Sequence, residues 1–324
     1  MVKLTLTPYQ VPAPLSNARH RARTNLSGWH VRLDQGTQFG LGEAFLWPGF
    51  GSSIEQTSVD FKRCHSISPH IETASSMLEW LGQQELIASP VRYAIELACF
   101  DLLGKQSSQS VAALLWRTYT EQIPCHTTLK SWAEHDDFTQ WADRAVKIKV
   151  GLLDPDIEHD RIKAILSAHP AIRLRLDANG SWGLPHARRM CQLAEPYPNV
   201  VIEQPLKKEQ FKALDELQRN TATIIALDES FALSPDTALD TECKEIVVKP
   251  MYAGGLSISK MRCSQIIKAR KRICVTHALE GAVGRAGAQH FAAGINTDGA
   301  HGVGHTTNSG YFNLDQSDGH GVVQ

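Results

Sequence analysis

The second part of this chain repeats one unit, a short apolar run followed by an amphipathic segment. From about residue 122 the apolar runs have the length of strands. The strand candidates are IPCHTTL, AVKIKV, AIRLRLD, NVVIEQP, TIIALDE, EIVVKP and ICVTHA. Strands that alternate with helices predict a parallel sheet. Seven or eight units in about 180 residues favour a β/α barrel over an open sheet, although the sequence does not prove closure.

Several of the helices between these strands carry start signals. Asp154 and Pro155 stand before an apolar stripe, where they predict an N-cap and a first helical residue. Ser257 is a candidate cap for the helix that carries Ile258 and Met261. Such signals support the division of the repeat into separate strands and helices.

The first hundred residues differ from the repeat. Three β-rich segments, VKLTLTPY, GWHVRLDQ and FGLGEAFL, predict an antiparallel meander. Residues 91–105 are apolar on most of their surface and predict a buried helix. We therefore divide the chain into an N-terminal α+β domain at 1–110, a β/α barrel at 111–305 and a C-terminal segment at 306–324.

Composition restricts the partners of the protein. The 324 residues carry a formal net charge of −1, so no strong field attracts nucleic acid or an anionic membrane. No segment approaches the roughly 18 apolar residues of a membrane span, and the N-terminus has no signal-like stretch. The seven cysteines are scattered without a CxxC pair, which predicts reduced thiols in a cytoplasmic protein. We expect a small-molecule substrate, and the sequence leaves the oligomeric state open.

Acidic residues stand at the ends of three consecutive strand candidates. They are Asp177 in LRLDAN, Glu203 in VIEQPL and Asp228 in IALDES. In a β/α barrel the carboxyl ends of the strands meet in one mouth, so we expect these carboxylates to lie together. Three oxygen ligands with room for water and substrate are typical of Mg²⁺. A single acid would more often cap a helix or pair with a basic residue, but three at adjacent strand ends favour a metal site.

Lysines flank this series of acids. Lys147 and Lys149 alternate on one strand and therefore point to the same side, and Lys249 follows a later strand. At an ordinary pKa roughly one lysine in 2,500 is neutral at pH 7, so a lysine base needs a lowered pKa. We expect lysines that are buried together near a metal ion to lower each other's pKa. A solvated edge strand is the alternative explanation for the KIK motif alone.

Six segments together resemble the enolase superfamily, specifically its muconate-lactonizing-enzyme subgroup. They are KIKVG, LRLDANGSW, EQP, LDES, VVKPMYAGGLS and THALEGAVGR. The resemblance implies a modified (β/α)8 TIM-type barrel with an α+β capping domain built from the N-terminal region and the C-terminal tail. It assigns the three acids as ligands of Mg²⁺, with Mn²⁺ as an alternative. It also implies that Lys149 is the general base, that Lys147 supports it and that Lys249 faces the other side of the substrate.

Within the subgroup the segments are most similar to the o-succinylbenzoate synthases. The cap segment GEAFLWPGFGSS and the short chain also fit that group. This resemblance implies a lyase that dehydrates 2-succinyl-6-hydroxy-2,4-cyclohexadiene-1-carboxylate to 2-succinylbenzoate in menaquinone biosynthesis. Lys149 would remove the α-proton to give an enediolate, and would return the proton to the hydroxyl that departs from the same face. Lys249 would stabilise the enediolate, with a cation–π contact to the forming ring.

The same two-lysine site is also suited to racemisation. N-succinylamino acid racemase and dipeptide epimerase are therefore alternatives. Dipeptide epimerases typically carry an Asp-x-Asp near the last strand, and INTDGAHGVGH has no such pair. Racemisation of N-succinylamino acids shares the succinyl group and stays open. A catalytically silent binding protein is disfavoured because the three acids, Lys149 and Lys249 are all present.

Three further residues are assigned to substrate binding. Phe50 ends the turn in the cap segment, and His277 and Gly281 stand where the family usually has small hydroxyl residues. Gly281 could offer a backbone N–H to the succinyl carboxylate. His277 either contacts the substrate or is a satisfied histidine at a strand end.

Two other residues are expected to support the metal-binding carboxylates. Asn179 and Arg175 in LRLDAN are candidate hydrogen-bond donors to those acids. Arg175 could instead be a paired residue of the barrel. Glu229, which follows Asp228, is expected to face away from the metal because side chains alternate along a strand.

Overall fold

The N-terminal part of the chain is an antiparallel sheet covered by helices. A computed structural model describes residues 1–12, 25–47, 49–129, 132, 137–297, 299–304 and 311–314. The strands are β1 (Lys3–Pro12), β2 (Asn25–Gln35) and β3 (Gln38–Phe45), and the helices are α1 (Ile54–Ile67), α2 (Ala74–Gly82), α3 (Ser89–Ser107) and α4 (Val111–Leu115). The strands pair in chain order, β1 with β2 and β2 with β3, both antiparallel. The predicted meander and the predicted buried helix are both confirmed.

Strand β3 and helix α3 pack with their backbones in contact. A Cβ at Gly42 would lie 1.8 Å from the carbonyl oxygen of Ala94, and one at Gly40 would lie 1.9 Å from that of Ala98. Only glycine permits this approach, so the strand and the helix form one closely packed layer. Apolar side chains from the sheet and from α1 to α3 fill its core, among them Leu4, Val31, Phe61, Met77 and Leu102.

Seven parallel strands with intervening helices form the second part. The strands are β5 (Thr127–Leu129), β6 (Ala145–Lys149), β7 (Arg173–Asp177), β8 (Val200–Glu203), β9 (Ile224–Leu227), β10 (Glu245–Val248) and β11 (Arg272–Val275), preceded by β4 (Gln122–Pro124). The helices are α5 (Pro155–Ala168), α6 (Leu184–Ala194), α7 (Phe211–Arg219), α8 (Glu229–Leu233), α9 (Pro235–Leu239), α10 (Gly255–Lys268) and α11 (Ala282–Ala292). Strands β5 to β11 pair in chain order.

A two-residue segment closes this sheet into a ring. His301 pairs in parallel with Cys125, just before β5, and Gly302 pairs in parallel with Thr276, just after β11. The backbone N–H groups of His301 and Gly302 donate to the strands on either side, at 2.7 and 2.8 Å. The barrel predicted from the repeat, with its α+β cap, is confirmed.

The helix start signals have different outcomes. Asp154 caps α5 as predicted, and its side chain accepts hydrogen bonds from the first-turn N–H groups. The prediction that Ser257 caps α10 is wrong, because the helix already begins at Gly255 after a left-handed turn at Gly254. Ser257 therefore lies inside the first turn, and another group must accept its N–H.

The last described strand is β12 (Tyr311–Asn313), which pairs antiparallel with β4. The other residues of the predicted C-terminal segment, apart from Leu314, lie outside the described residues. The division at residues 110 and 305 stays a prediction. Within the part of the chain that the structure describes, no helix is long and apolar enough to cross a membrane.

Candidate active site

Three carboxylates stand at the ends of adjacent strands, on one edge of the barrel. Asp177 ends β7, Glu203 ends β8, and Asp228 directly follows β9. Asp177 and Glu203 are paired across their strands. All three residues are buried, with exposures of 0%, 0% and 4%. The structure thus gathers the acids where the sequence predicts them, and their role as metal ligands stays a prediction.

Lysine ammonium groups provide the counter-charges on one side of the mouth. The Nζ of Lys147 lies 2.7 Å from Oδ2 of Asp177 and 2.8 Å from Oε1 of Glu203. Lys149, at the end of β6, also contacts Oδ2 of Asp177. The two lysines therefore project into the same mouth, as their alternation in KIK predicts.

The third lysine lies on the opposite side of the ring. Lys249 directly follows β10 and contacts Oδ1 of Asp228. Strands β6 and β10 are four positions apart in the sheet order, and with the closing segment the ring has eight positions. Lys149 and Lys249 therefore stand on opposite sides of the ring, each in contact with one of the three acids.

The three acids have the oxygen atoms and the negative charge that a hard divalent cation requires, but within the described ranges of the chain they are not spaced as a three-ligand site. Burial raises the pKa of Asp228 to about 7, and the charges of Glu229, Glu203 and Asp177 add to this rise while Lys249 opposes it. The carboxylates repel one another, and a cation shared among them would remove that repulsion. Among the described residues, no three His, Cys, Asp or Glu side chains are placed to hold a metal ion. The lysine ammonium groups lie against the oxygens that would bind one.

The pKa values of two lysines depart from the expectation. Burial lowers the pKa of Lys147, but Asp177 and Glu203 more than offset this and bring it well above the ordinary value. Asp228 likewise raises the pKa of Lys249 against the effect of burial. The prediction of lowered pKa values is therefore wrong for these two amines with the protein's own charges. The reason is that the carboxylates in contact with each amine raise its pKa more than burial lowers it.

Arg175 donates a hydrogen bond to Glu203, one of the three acids, as predicted. Its Nη1 donates to Oε2 of Glu203 at 3.1 Å, and its Nη2 donates to Glu245. Both oxygens of Glu203 are thus held, one by Arg175 and one by Lys147. This arrangement fixes the orientation of the carboxylate.

Asn179 donates to one of the three acids only through its backbone N–H, which lies 3.1 Å from Oδ1 of Asp177, and its side chain instead connects the candidate base to a fourth acid. Its Oδ1 accepts a hydrogen bond from Nζ of Lys149 at 2.8 Å, and its Nδ2 donates to Oε1 of Glu229 at 3.1 Å. The prediction that Glu229 faces away from the site is wrong. Strand β9 ends at Leu227 and Glu229 begins α8, so the alternation of a strand no longer applies.

Gln204 is a site residue that the sequence reasoning missed. Its Oε1 accepts the backbone N–H groups of Asp228 and Ser230, each at 3.0 Å. Its Nε2 donates to the carbonyl oxygen of Leu206 at 2.9 Å and to Oγ of Ser230 at 2.8 Å. The amide therefore locks the end of β9 to the end of β8. The available signal was a polar residue directly after a strand-end acid, inside an apolar run.

Phe50 reaches the mouth from the cap. The Nζ of Lys249 lies 5.0 Å from the centroid of the Phe50 ring, which stacks on Tyr252 at 4.6 Å. The hydroxyl of Tyr252 accepts from the N–H of Trp47 at 2.6 Å and donates to the carbonyl oxygen of Phe45 at 2.7 Å. Tyr252 was not identified from the sequence, although it follows Lys249 by only three residues.

His277 and Gly281 lie after β11, at the same edge of the barrel. His277 is half-buried, and its Nδ1 accepts the N–H of Leu279 at 3.1 Å. The N–H of Gly281 donates to Oε1 of Glu43, a cap residue, at 2.6 Å. A substrate carboxylate would have to displace Glu43 to reach that N–H. The assignment of both residues to substrate binding stays a prediction.

Comparison with protein families places this geometry in context. Residues 134–322 match the sequence model of the family described as Enolase C-terminal domain-like. The o-succinylbenzoate synthase of Thermosynechococcus vestitus is 32% identical over 233 residues, which cover 69% of this chain and 66% of that protein. The hydrophobic dipeptide epimerase of Enterococcus faecalis is 30% identical over 220 residues, which cover 64% of this chain and 58% of that protein. The chain thus matches less than two thirds of the length of these relatives.

Solved structures share the whole fold. The dipeptide epimerase from Enterococcus faecalis V583, complexed with Mg and the dipeptide L-Leu-L-Tyr, superimposes with a TM-score of 0.79 at 20% identity, covering 99% of this chain and 98% of that one. The muconate cycloisomerase from Pseudomonas fluorescens gives a TM-score of 0.72 at 21% identity, covering 92% and 85%. At these identities the similarity concerns the fold alone.

Proposed function

This chain belongs to the Enolase C-terminal domain-like family, as the resemblance in its sequence implies, and we propose that it is an o-succinylbenzoate synthase. The reaction is the dehydration of 2-succinyl-6-hydroxy-2,4-cyclohexadiene-1-carboxylate to 2-succinylbenzoate, a step of menaquinone biosynthesis. Relatives that carry this name support the proposal.

The observation that carries the proposal is the pair of amines across the carboxylate series. Lys149 and Lys249 stand on opposite sides of an eight-membered ring, with three buried acids between them. A substrate whose carboxylate lies over those acids presents its α-carbon between the two amines. One amine can then take the α-proton while the other stabilises the negative charge that develops.

Asp177, Glu203 and Asp228 are the residues that would hold Mg²⁺. When bound, the ion supplies a positive charge that favours loss of the α-proton from a carboxylate substrate. Lys147 and Lys149 both contact Oδ2 of Asp177, so the amine of Lys149 must leave that oxygen before it can serve as the base. Asn179 orients this amine, because its Oδ1 accepts a hydrogen bond from Nζ of Lys149.

In the dehydration Lys149 handles one proton twice. It accepts the α-proton and then donates it to the hydroxyl on the same face, which departs as water, so atoms and charge balance. Lys249 remains an ammonium group throughout. Its position 5.0 Å from the centroid of the Phe50 ring and against Asp228 suits a fixed positive charge.

Epimerisation is the second candidate function. A dipeptide epimerase is 30% identical to this chain, and the opposed amines suit a reaction in which one removes a proton and the other returns it. The two functions differ in what they require of Lys249. Dehydration needs its charge, whereas epimerisation needs it to exchange a proton.

A substrate panel with matched variants tests the proposal. Purified protein with Mg²⁺ should dehydrate the cyclohexadiene substrate, as followed by its ultraviolet change. Lys149→Ala should abolish turnover. Lys244→Ala is the matched control, because this exposed lysine precedes β10 at the opposite end of the barrel. Turnover of N-succinylamino acids or dipeptides without dehydration would refute the assignment.

Proton exchange separates the two functions in the same preparation. Lys249→Arg keeps a positive charge but cannot release a proton at neutral pH. It should retain part of the dehydration activity. Epimerisation in D₂O, measured as deuterium incorporation at the α-carbon with inversion, should be lost in this variant.

A further inference from the structure

Two consecutive barrel helices begin without a cap side chain of their own. Helix α10 has Gly254 at its N-cap and α11 has Gly281. Glycine has no side chain that could accept a first-turn N–H. The first N–H groups of a helix have no partner within the helix and need an acceptor when they are buried. Acceptors for these two helix starts must come from elsewhere in the chain.

The N-terminal capping domain provides both acceptors. Glu43 in β3 accepts the N–H of Gly281 at 2.6 Å with one carboxylate oxygen and that of Gly284 at 2.9 Å with the other. Glu96 in α3 accepts the N–H of Ser257 at 3.1 Å. Both glutamates are buried, with exposures of 0% and 3%. Each carboxylate therefore replaces the cap residue that its helix lacks.

The starts of both helices have glycines that make room for these carboxylates. A Cβ at Gly281 would lie 2.6 Å from Oε1 of Glu43, and a Cβ at Gly255 would lie 2.6 Å from Oε2 of Glu96. Either contact is too close for a side chain. The same arrangement thus occurs twice: a buried carboxylate of the N-terminal domain packs against a glycine at the start of a barrel helix.

The two carboxylates belong to one layer of the cap. Glu43 follows Gly42, whose missing side chain lets β3 touch α3 at Ala94, and Glu96 lies two residues beyond Ala94. A third bond joins the same layer to α11, from the hydroxyl of Tyr93 to the carbonyl oxygen of Gly284 at 2.6 Å. The spacing between the two docking points is therefore fixed by backbone packing.

Both docked helices directly follow segments of the candidate active site. Residues 249–254, which begin with Lys249, connect β10 to α10, and residues 276–281, which include His277, connect β11 to α11. A shift of either helix start would move the segment before it. The cap thus holds two sides of the mouth through backbone hydrogen bonds rather than through contact with a substrate.

We propose that Glu43 and Glu96 are positioning residues through which the cap sets the placement of the two mouth segments. Neither glutamate touches the reacting atoms. Each acts through the helix start that it holds. The proposal rests on the proposed function only where activity is the readout, because the positions of the segments can be measured without a substrate.

A double-mutant cycle between Glu43 and Gly281 tests the docking. Gly281→Ala should loosen the helix start, because the new Cβ displaces the carboxylate, and amide exchange at residues 276–284 should rise about tenfold. Glu43→Ala should raise exchange by a similar factor. In the double variant the second substitution should add little, because the colliding carboxylate is gone. Additive effects would overturn the docking.

Kinetics test whether the docking positions the mouth. In Glu43→Ala, kcat/KM should fall about tenfold or more at a temperature where the variant is fully folded. Glu43→Gln, which keeps the shape and one acceptor, should recover part of the loss. Glu79→Ala, at an exposed position on α2, is the matched control and should change neither quantity. Normal kcat and KM in Glu43→Ala despite faster exchange would overturn the positioning role.

The role of Glu96 is tested by a separate exchange experiment. Glu96→Ala should raise amide exchange at Ser257 and in residues 249–254, while residues 276–284 keep their protection. If no substrate turns over, these exchange measurements still decide the proposal, and only the proposed function fails. Unchanged exchange at 249–254 in Glu96→Ala would overturn the assignment for this residue.

Discussion

Glu96 should make the stability of this protein fall as pH rises through neutrality. Its side chain is buried between the cap and α10, and burial raises its pKa from the ordinary 4.5 to about 7. Hydrogen bonds from Ser257 and the charge of Arg92 oppose the rise without cancelling it. The buried thiol of Cys99, on the same helix, has a pKa that burial raises and that the charge of Glu96 raises further. Glu96→Gln removes the ionisation and keeps the shape.

The sign and size of the effect follow from linkage. Because the pKa of Glu96 is higher in the folded chain than in the unfolded chain, its contribution to stability is fully present below about pH 4.5. That contribution is lost as pH rises through about 7. At about 1.4 kcal/mol per pKa unit, the difference corresponds to about 3 kcal/mol. The stability of Glu96→Gln relative to the wild type should therefore rise by about 2–3 kcal/mol between pH 5 and pH 8.5, with most of the rise below pH 7.

The comparison must be made between variants, because other groups titrate in the same range. Glu280 is also buried and has a pKa raised to about 7, while burial lowers the pKa of His301 to about 4 and gives the opposite pH dependence. Urea unfolding of the wild type and of Glu96→Gln at constant ionic strength, from pH 5 to 8.5, isolates the contribution of Glu96 to the free energy of unfolding. Glu280→Gln should show a similar difference, and the exposed Glu79→Gln should show none.

Two results would refute this reasoning. Parallel stability profiles for the wild type and Glu96→Gln would mean that Glu96 does not titrate in this window. A variant that loses stability relative to the wild type as pH rises would mean that the helix start favours the charged form more than burial disfavours it. Either result would contradict burial as the dominant influence on this carboxyl group.

Three other substitutions test the packing around the site. Tyr252→Phe should lower the free energy of unfolding by about 1–3 kcal/mol in denaturant titrations, because the buried carbonyl of Phe45 loses its donor. Gly42→Ala should cost at least about 1–3 kcal/mol in the same assay, because the new Cβ would lie 1.8 Å from the carbonyl oxygen of Ala94. Gln204→Leu should weaken Mg²⁺ binding in calorimetry by about 10- to 100-fold, because the end of β9 is no longer held. An unchanged free energy of unfolding in either of the first two variants, or unchanged Mg²⁺ affinity in the third, would contradict the role given to that residue.

Much of the barrel and the positions of its carboxylates could be predicted from the sequence. The repeated unit of strand and helix is written in local apolar patterns, and the carboxyl ends of parallel strands always meet at one edge. Asp177, Glu203 and Asp228 could therefore be placed together before any coordinates were known. Local alternation also put Lys147 and Lys149 on one side of their strand, as observed.

Predictions failed where a contact with a distant residue outweighed a local rule, or where the secondary structure that the rule requires had ended. The expected lowering of lysine pKa values considered only burial and neighbouring positive charge, whereas the carboxylates that Lys147 bridges on two other strands have the larger effect. Glu229 was assigned to the wrong side because the strand ends two residues before it. The position of Gln204 directly after a strand-end acid does not reveal its role, because its partners Asp228 and Ser230 lie more than twenty residues away.

By itself, then, the sequence determined the alternation of parallel strands with helices and the edge at which the three acids meet, because both follow from patterns that repeat over a few residues. The family followed from the resemblance of six segments to the enolase superfamily. The tertiary structure decided the closing segment at His301, the pairing of each lysine with an acid, and the seating of Glu43 and Glu96 on two barrel helices. Those features join residues far apart in the chain. They depend on distances of a few ångströms, which local sequence patterns do not encode.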